Sequence, residues 1–273
     1  MSDSQLCFVY CGGRLLLLQT GDGGCHLPLL SALPEEGIQR KLPFTWIDGR
    51  EAVAVELSEK VLSALSAPYI LYGLREAYDK LSLGDYRMAG KAEELLDWDA
   101  RTRFCGHCGT PLQLKSPISK YCPHCQRESW PKLSPAIIVR ITRGDEILLV
   151  QSLSFKHDYY GLVAGFVELG ETLEECVRRE VMEETSLHIR NLRYFASQAW
   201  PYPRNLMAGF TAEYESGELH LQHEELRKGG WFTRNHMPAI PAKLSIARML
   251  IDDWLSLPSR HDTRSLSLPQ TGQ

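Results

Sequence analysis

Apolar residues in this chain come in short blocks whose spacing switches between strand and helix periods. Strands are predicted over Leu15–Gln19 and Ala52–Leu57, with Gly12-Gly13 and Gly21–Gly24 as turns. Residues from about 70 to 98 read as two helical stretches broken near Ser82–Gly84. Beyond residue 135 the strands Ala136–Ile141 and Ile147–Gln151 are joined at Arg143-Gly144-Asp145, and Leu162–Val167 is a third. A helix is predicted over 172–185, strands over 189–199 and 207–214, and a closing helix over 243–257. The end of the chain, from Leu257, is rich in Ser, Pro and Thr and reads as a loose tail. No internal repeat is visible. The divisions expected are an α/β domain at 1–100, a Cys-rich insert at 101–131, a second α/β domain at 132–258 and a tail at 259–273.

Composition narrows the class. The chain has 273 residues, 44% of them hydrophobic and 23% charged, enough for a buried core and unlike a disordered or collagenous chain. The aliphatic run Leu15–Leu18 is far below the roughly 20 residues needed to span a bilayer. Met1-Ser2-Asp3-Ser4-Gln5 lacks the basic start of a signal peptide. Thirty Lys/Arg against 34 Asp/Glu give a net charge of −4, which argues against wide nonspecific nucleic-acid binding but leaves room for a local basic groove. A disulfide scaffold would be shorter and denser in cysteine, so a reducing cytoplasm is expected.

The eight cysteines sort into two groups. Cys7, Cys11, Cys25 and Cys176 are scattered and are expected to be plain buried residues. Cys105-x2-Cys108-x13-Cys122-x2-Cys125 supplies two tight knuckles, each with two soft ligands, as a tetrahedral zinc requires. Four thiolates leave no open position, so this zinc, one per chain, is expected to be structural. His107 and His124 are then bystanders.

The segment from Gly165 to Leu187 carries the chemistry. Thr172 and Glu175 form a capping box, so a helix starts there. Leu173, Val177 and Val181 define its apolar face. In projection Glu180 falls about 20° from Leu173, and Glu184 about 20° from Val177, so both carboxylates lie on the face that packs. Bare buried carboxylates are costly, and a divalent cation with oxygen preference, Mg²⁺ or Mn²⁺, is the natural partner. Glu174 and Glu175 fit a solvated face.

This segment resembles the Nudix box, Gly-x5-Glu-x7-Arg-Glu-(apolar)-x-Glu-Glu-x-Gly-(apolar). Gly165, Glu171, Arg179, Glu180, Glu183 and Glu184 match it, and Ser186 stands in place of the last glycine. That position follows the helix end, where glycine tolerates the left-handed conformation. A serine there is expected to shift the loop slightly. Downstream, Ser197-Gln198-Ala199-Trp200-Pro201-Tyr202-Pro203-Arg204-Asn205 is similar to the Ser-Gln-Pro-Trp-Pro-Phe-Pro-x-Ser signature of the NADH pyrophosphatases. It departs at Ala199, Tyr202 and Asn205. That subfamily also carries a four-cysteine zinc ribbon directly before its Nudix domain.

The resemblance implies an α/β fold: a Nudix α/β/α sandwich, a zinc ribbon and an N-terminal α/β domain. It implies metal-dependent hydrolysis of the NAD(H) pyrophosphate to AMP and nicotinamide mononucleotide. NAD-capped RNA and other dinucleotides, such as ADP-ribose, are alternative substrates of related members. Arg179, Glu180, Glu183 and Glu184 are the implied catalytic residues, with Arg179 pairing Glu180 in bidentate fashion. Glu180, Glu183, Glu184 and Glu225, together with the Ala164 carbonyl, are the implied Mg²⁺/Mn²⁺ ligands. Gln198, Ala199, Trp200, Pro201, Tyr202, Pro203, Arg204 and Asn205 are the implied substrate loop, whose aromatic rings suit a base or nicotinamide and whose prolines stiffen it. Trp130, Phe166, Ala247 and Arg75 are further implied substrate contacts. The rival class is a zinc-ribbon ligand sensor with a dead Nudix domain, which the intact Arg179, Glu180, Glu183 and Glu184 disfavour. A homodimer is expected from the subfamily, and a membrane partner is not.

Overall fold

The computed structural model describes residues 6–45, 49–65, 68–155, 158–202 and 204–258. Pro203 and the tail at 259–273 lie outside the described residues. The chain divides into two compact units, residues 1–132 with 201–204, and residues 133–200 with 205–273. Among the described residues no helix is long and apolar enough to cross a membrane.

The first unit holds strands β1 (Leu6–Cys11), β2 (Arg14–Gln19), β3 (Cys25–His26), β4 (Ile38–Thr45), β5 (Glu51–Leu57) and β6 (Tyr69–Tyr72) in one sheet. Helix α1 (Leu83–Arg101) follows, capped by Ser82, which accepts from the Asp85 N–H. One expectation is corrected here. Of the two helical stretches read over 70–98, only the second is a helix. Tyr69–Tyr72 pairs antiparallel with β2, and Glu76–Asp79 is a single 3₁₀ turn. Sheet pairing outweighed the local helical spacing of a short apolar run. β1, β4 and β6 had no separate sequence signal. Cys7 and Cys11 are buried as expected, whereas Cys25 is only half-buried, its sulfur 3.9 Å from the Tyr72 hydroxyl.

The ribbon belongs to this unit. It is a three-stranded sheet of β7 (Gln113–Ser116), β8 (Ser119–Tyr121) and β9 (Glu128–Ser129). So small a fold has little core, and a buried lysine fixes it to α1. Lys120 Nζ lies 2.8 Å from the Asp99 carboxylate and donates to the Asp99 and Thr102 carbonyls at 2.9 and 2.8 Å. It also sits 5.2 Å from the centre of the Trp98 ring.

The second unit holds β10 (Ser134–Arg143), β11 (Glu146–Ser152), β12 (Val163–Phe166), helix α2 (Leu173–Thr185), β13 (His188–Trp200), β14 (Asn205–Ser216), β15 (Leu226–Thr233) and helix α3 (Ile246–Ser256). Sheet order is β13-β14-β10-β11-β15, with β12 paired to β10. Side-chain alternation along β10 feeds two cores. Ile137, Val139 and Ile141 pack with Val177 and Val181 of α2, and Ile138 packs with Leu250, Ile251 and Trp254 of α3. Helices on opposite faces make the α/β/α sandwich. β15 is the one strand of this sheet that sequence spacing did not indicate.

Four strands of each sheet repeat one arrangement despite the absence of a visible sequence repeat. β1 forms an antiparallel hairpin with β2 and runs parallel to β5, which pairs antiparallel with β4. β10, β11, β14 and β13 stand in the same relations. The sheets differ in the strand after the hairpin, β3 pairing with β2 where β12 pairs with β10, and in α2. Between β3 and β4 the first unit has only two 3₁₀ turns, Leu30–Ala32 and Glu35–Gly37.

The Lys120 anchor gives a stability prediction. Lys120→Ala removes the buried ammonium from the Asp99 carboxylate, which keeps Arg40 at 3.3 Å, and from two carbonyls, which should cost about 2 kcal/mol. Urea unfolding of the zinc-loaded protein checks this, and a loss below about 1 kcal/mol refutes the anchor.

Candidate active site

Local sequence rules set helix α2 in place. Glu175 N–H donates to Thr172 Oγ1 at 3.2 Å, and Thr172 N–H donates to Glu175 Oε2 at 2.8 Å, completing the predicted capping box. At the other end Ser186 adopts the left-handed conformation with φ 58°. Serine therefore takes the backbone expected of the replaced glycine.

Arg179 organises the carboxylates. Its Nε and Nη2 donate to Glu171 Oε1 and Oε2 at 2.5 and 3.0 Å. Nη1 donates to Glu180 Oε1 at 2.9 Å and to Glu183 Oε2 at 2.8 Å, and Nη2 reaches the Phe166 carbonyl at 3.0 Å. The bidentate partner is thus Glu171, and the expected bidentate pair with Glu180 is corrected to a single contact. A guanidinium fork needs both carboxylate oxygens in its plane, and Glu171 is placed for that by the Glu168 N–H at 2.9 Å. Those hydrogen bonds hold the Glu171 carboxyl down at about 2.

Glu180 and Glu184 are buried, as their helical phase requires. Burial, followed by the charges of Glu180, Glu225 and Glu183, pushes Glu184 up to about 8. Burial also raises Glu180, against the opposing effect of Arg179. Glu184 Oε2 is buried without a hydrogen-bond partner. Gly165 on β12 presses against this group: a Cβ there would lie 1.9 Å from the Glu180 carboxylate. Ala164 precedes Gly165 on β12, and Glu225 precedes β15, where its field acts on both buried glutamates. Glu224, its neighbour, has no such effect among the causes of either shift. An orphaned carboxylate oxygen inside a set of oxygen donors fits a hard divalent cation.

The four ribbon cysteines fit a softer ion. Their sulfurs lie within 4.8 Å of one another, with Cys105–Cys125 at 3.6 Å, Cys108–Cys122 at 3.5 Å and Cys108–Cys125 at 3.8 Å. Zinc–sulfur bonds of about 2.3 Å in a tetrahedron place sulfurs about 3.8 Å apart. Hydrogen bonding with Thr110 lowers the Cys108 thiol to about 5. Among the described residues this is the one His/Cys/Asp/Glu set so tightly gathered. The glutamates spread more widely around Arg179.

The substrate-loop residues are divided between the units. In the first, Arg75 lies 4.4 Å over the Tyr202 ring, and the Tyr202 hydroxyl meets Tyr86 at 2.6 Å. Gly90 leaves room for Pro201, and Arg204 pairs with Asp97 at 2.8 Å. Trp130 is exposed. In the second, Gln198 is engaged with backbone: its amide donates to the Leu244 carbonyl at 2.9 Å and accepts from Ile246 N–H at 2.6 Å. It thereby holds the start of α3, where Ala247 sits. Trp200 and Asn205 face each other across the end of β13 and β14, Ala199 is exposed, and so is the Phe166 ring. Sequence reasoning missed Glu171 as the main Arg179 partner and Tyr86 as the Tyr202 partner. The first had a signal in the box spacing, and the second had none.

Comparison with known proteins decides the family. Residues 132–252 match the NUDIX domain, 100–129 the NADH pyrophosphatase zinc ribbon domain, and 4–98 the NADH pyrophosphatase-like rudimentary NUDIX domain. A Pseudomonas aeruginosa protein named NAD-capped RNA hydrolase NudC is 41% identical over 234 residues, 85% of this chain and 79% of its own length. A protein of the same name from Stutzerimonas stutzeri is 44% identical over 185 residues, 67% of each chain. The chain belongs to the Nudix hydrolases, in their NADH pyrophosphatase group. Within that group, "rudimentary" has a physical content here: the N-terminal sheet keeps the Nudix strand order and lacks the carboxylate helix.

The Glu184 environment predicts a pH signature for this Nudix site. An unfolded glutamate titrates near 4.3, and the folded one near 8 in the absence of metal. The stability this group contributes is full at low pH and is lost as the pH rises toward 8. Glu184→Gln should flatten that decline in chelator and abolish the melting-temperature gain from Mg²⁺ or Mn²⁺. Calorimetry across that range checks it, and a full cation response in the variant rejects Glu184 as a ligand.

Proposed function

We propose that this protein hydrolyses the pyrophosphate of NAD(H) to AMP and nicotinamide mononucleotide and removes NAD caps from RNA 5′ ends. The observation that carries the chemistry is the buried Glu180–Glu184 pair, with Glu225 acting on both and Glu184 Oε2 left without a partner. The names of the relatives and the Ser197–Asn205 motif support the choice of substrate.

Glu180, Glu183, Glu184 and Glu225, with the Ala164 carbonyl, would hold Mg²⁺ or Mn²⁺. When bound, the cation supplies positive charge to the pyrophosphate and makes an attacking water more acidic. Arg179 fixes the Glu180 and Glu183 carboxylates and leaves Glu184 buried. One of these glutamates accepts the water's proton as oxygen bonds to phosphorus and the bridging P–O bond breaks. On the resemblance, Phe166, Ala199, Trp200, Asn205 and Ala247 of the second unit and Arg75, Trp130, Pro201, Tyr202 and Arg204 of the first are each read as substrate contacts, the rings among them suited to a base or nicotinamide. Gln198 acts by holding α3. The ribbon binds one structural zinc through Cys105, Cys108, Cys122 and Cys125. We read the domains as 1–100, 101–131 and 132–258, followed by the tail, and the enzyme as a cytoplasmic homodimer on family resemblance.

Two outcomes test this reading. Elemental analysis should find about one zinc per chain, and chelation strong enough to remove it should unfold the ribbon; a well-folded metal-free protein of unchanged stability refutes it. Wild-type kcat/KM for NADH should exceed that for ADP-ribose, Glu184→Gln should lower turnover by about 10²–10⁴, and Trp200→Ala should cost about 1–3 kcal/mol, mainly with NADH. A strong wild-type preference for ADP-ribose overturns the substrate assignment and leaves the Nudix chemistry standing.

A further inference from the structure

Positive charge is concentrated in the ribbon and the short segment that follows it to Lys132. Six Lys/Arg stand between Arg101 and Lys132 against one acid, Glu128, so the rest of the chain carries 24 Lys/Arg against 33 Asp/Glu. Four thiolates and one zinc would remove about two of the ribbon's net positive charges and leave it basic. Three of the six cations are engaged: Lys120 is buried on Asp99, Arg101 pairs with Asp97, and Lys115 pairs with Glu128. Arg103, Arg127 and Lys132 are exposed and form no ion pair among the described residues.

An aromatic ring stands beside Arg103. Phe104 is 55% exposed, and the Arg103 guanidinium lies 5.7 Å from its centre. The ribbon makes this group rigid. Leu112 N–H donates to the Arg103 carbonyl at 2.9 Å, and Phe104 bridges to Pro111. Cys122 N–H donates to the Arg127 carbonyl at 2.8 Å. Phe104 adjoins Cys105, whose sulfur is 3.6 Å from that of Cys125, two residues before Arg127. Both cations and the ring are therefore built on one four-sulfur cluster.

We propose that the zinc ribbon is a docking surface for single-stranded RNA, with Phe104 stacking on an unpaired base and Arg103, Arg127 and Lys132 holding phosphates. This rests on the reading that the enzyme accepts RNA 5′ ends, and it supplies a grip on the chain beyond the cap. An exposed ring selects single strands, because a paired base has no free face. Charge favours RNA over a second copy of this ribbon, since apposed ribbons would bring like charges together. Leu114 and Ile118, 52% and 48% exposed, are the features a second copy would use, so the test records mass.

The experiment is fluorescence anisotropy of the zinc-loaded full chain with an uncapped single-stranded RNA of about 12 nucleotides. Affinity should fall with salt between about 50 and 200 mM with a log–log slope of about −2. The Arg103→Glu/Arg127→Glu/Lys132→Glu variant should bind at least about 30-fold more weakly, and Phe104→Ala about 5-fold or more. Zinc content, sedimentation mass and NADH turnover should stay at wild-type values. If the triple variant loses zinc, Arg127→Ala and Lys132→Ala singly should each reduce the slope by about 0.7. Undetectable or salt-insensitive RNA binding, charge variants that bind as wild type, or a change in mass as their sole effect overturns the proposal. RNA binding by a protein that leaves NADH and NAD-capped RNA intact sinks the proposed function instead.

Discussion

Carboxylates on the packed face of α2 are the constraint around which the second unit is arranged. Glu180 and Glu184 share that face with Val177 and Val181, and burying them is unfavourable unless positive charge compensates. Arg179 offsets part of the cost at Glu180 and Glu183 and is itself held by Glu171. At Glu184 one buried oxygen has no hydrogen-bond partner among the described residues. The fold thus keeps an electrostatic deficit that a divalent cation relieves, and binding energy for the metal is stored in the folded protein.

The backbone around this deficit is fitted to it. Glycine at 165 is required because any Cβ would collide with the Glu180 carboxylate. The same strand pairs with the central strand β10, which also runs parallel to β14, so the close approach of β12 to α2 is fixed by the sheet. Serine at 186 does not disturb it, because the left-handed residue lies beyond the last carboxylate.

The first unit shows what this topology looks like without the carboxylate helix. Four of its strands stand in the relations found in the second unit, its core is apolar, and two 3₁₀ turns stand where α2 would be. Its polar features serve other ends: a buried Lys120–Asp99 pair holds the ribbon to α1, and the Tyr86–Tyr202 contact and Arg75 hold the loop residues of that unit. The four-strand arrangement therefore recurs in both units, and only the second carries α2 with its Glu180–Glu184 pair.

Much of the site was legible in the sequence because its rules are local. Helical phase alone put Glu180 and Glu184 on the buried face, the Thr172–Glu175 spacing marked the helix start, and the paired Cys-x-x-Cys knuckles marked the ribbon. The strands beside tight turns were legible for the same reason. What the tertiary structure decided depends on partners distant in sequence. Tyr69–Tyr72 became a strand because β2 offered an open edge, and Arg179 took Glu171 as its bidentate partner because the Gly165–Glu171 loop folds back onto α2. Glu225 acts on Glu180 and Glu184 across some forty residues of chain, and Tyr86 meets Tyr202 across 116. The repeated sheet order was invisible for a related reason: apolar alternation specifies that a segment pairs, and only the assembled sheet specifies with which neighbour.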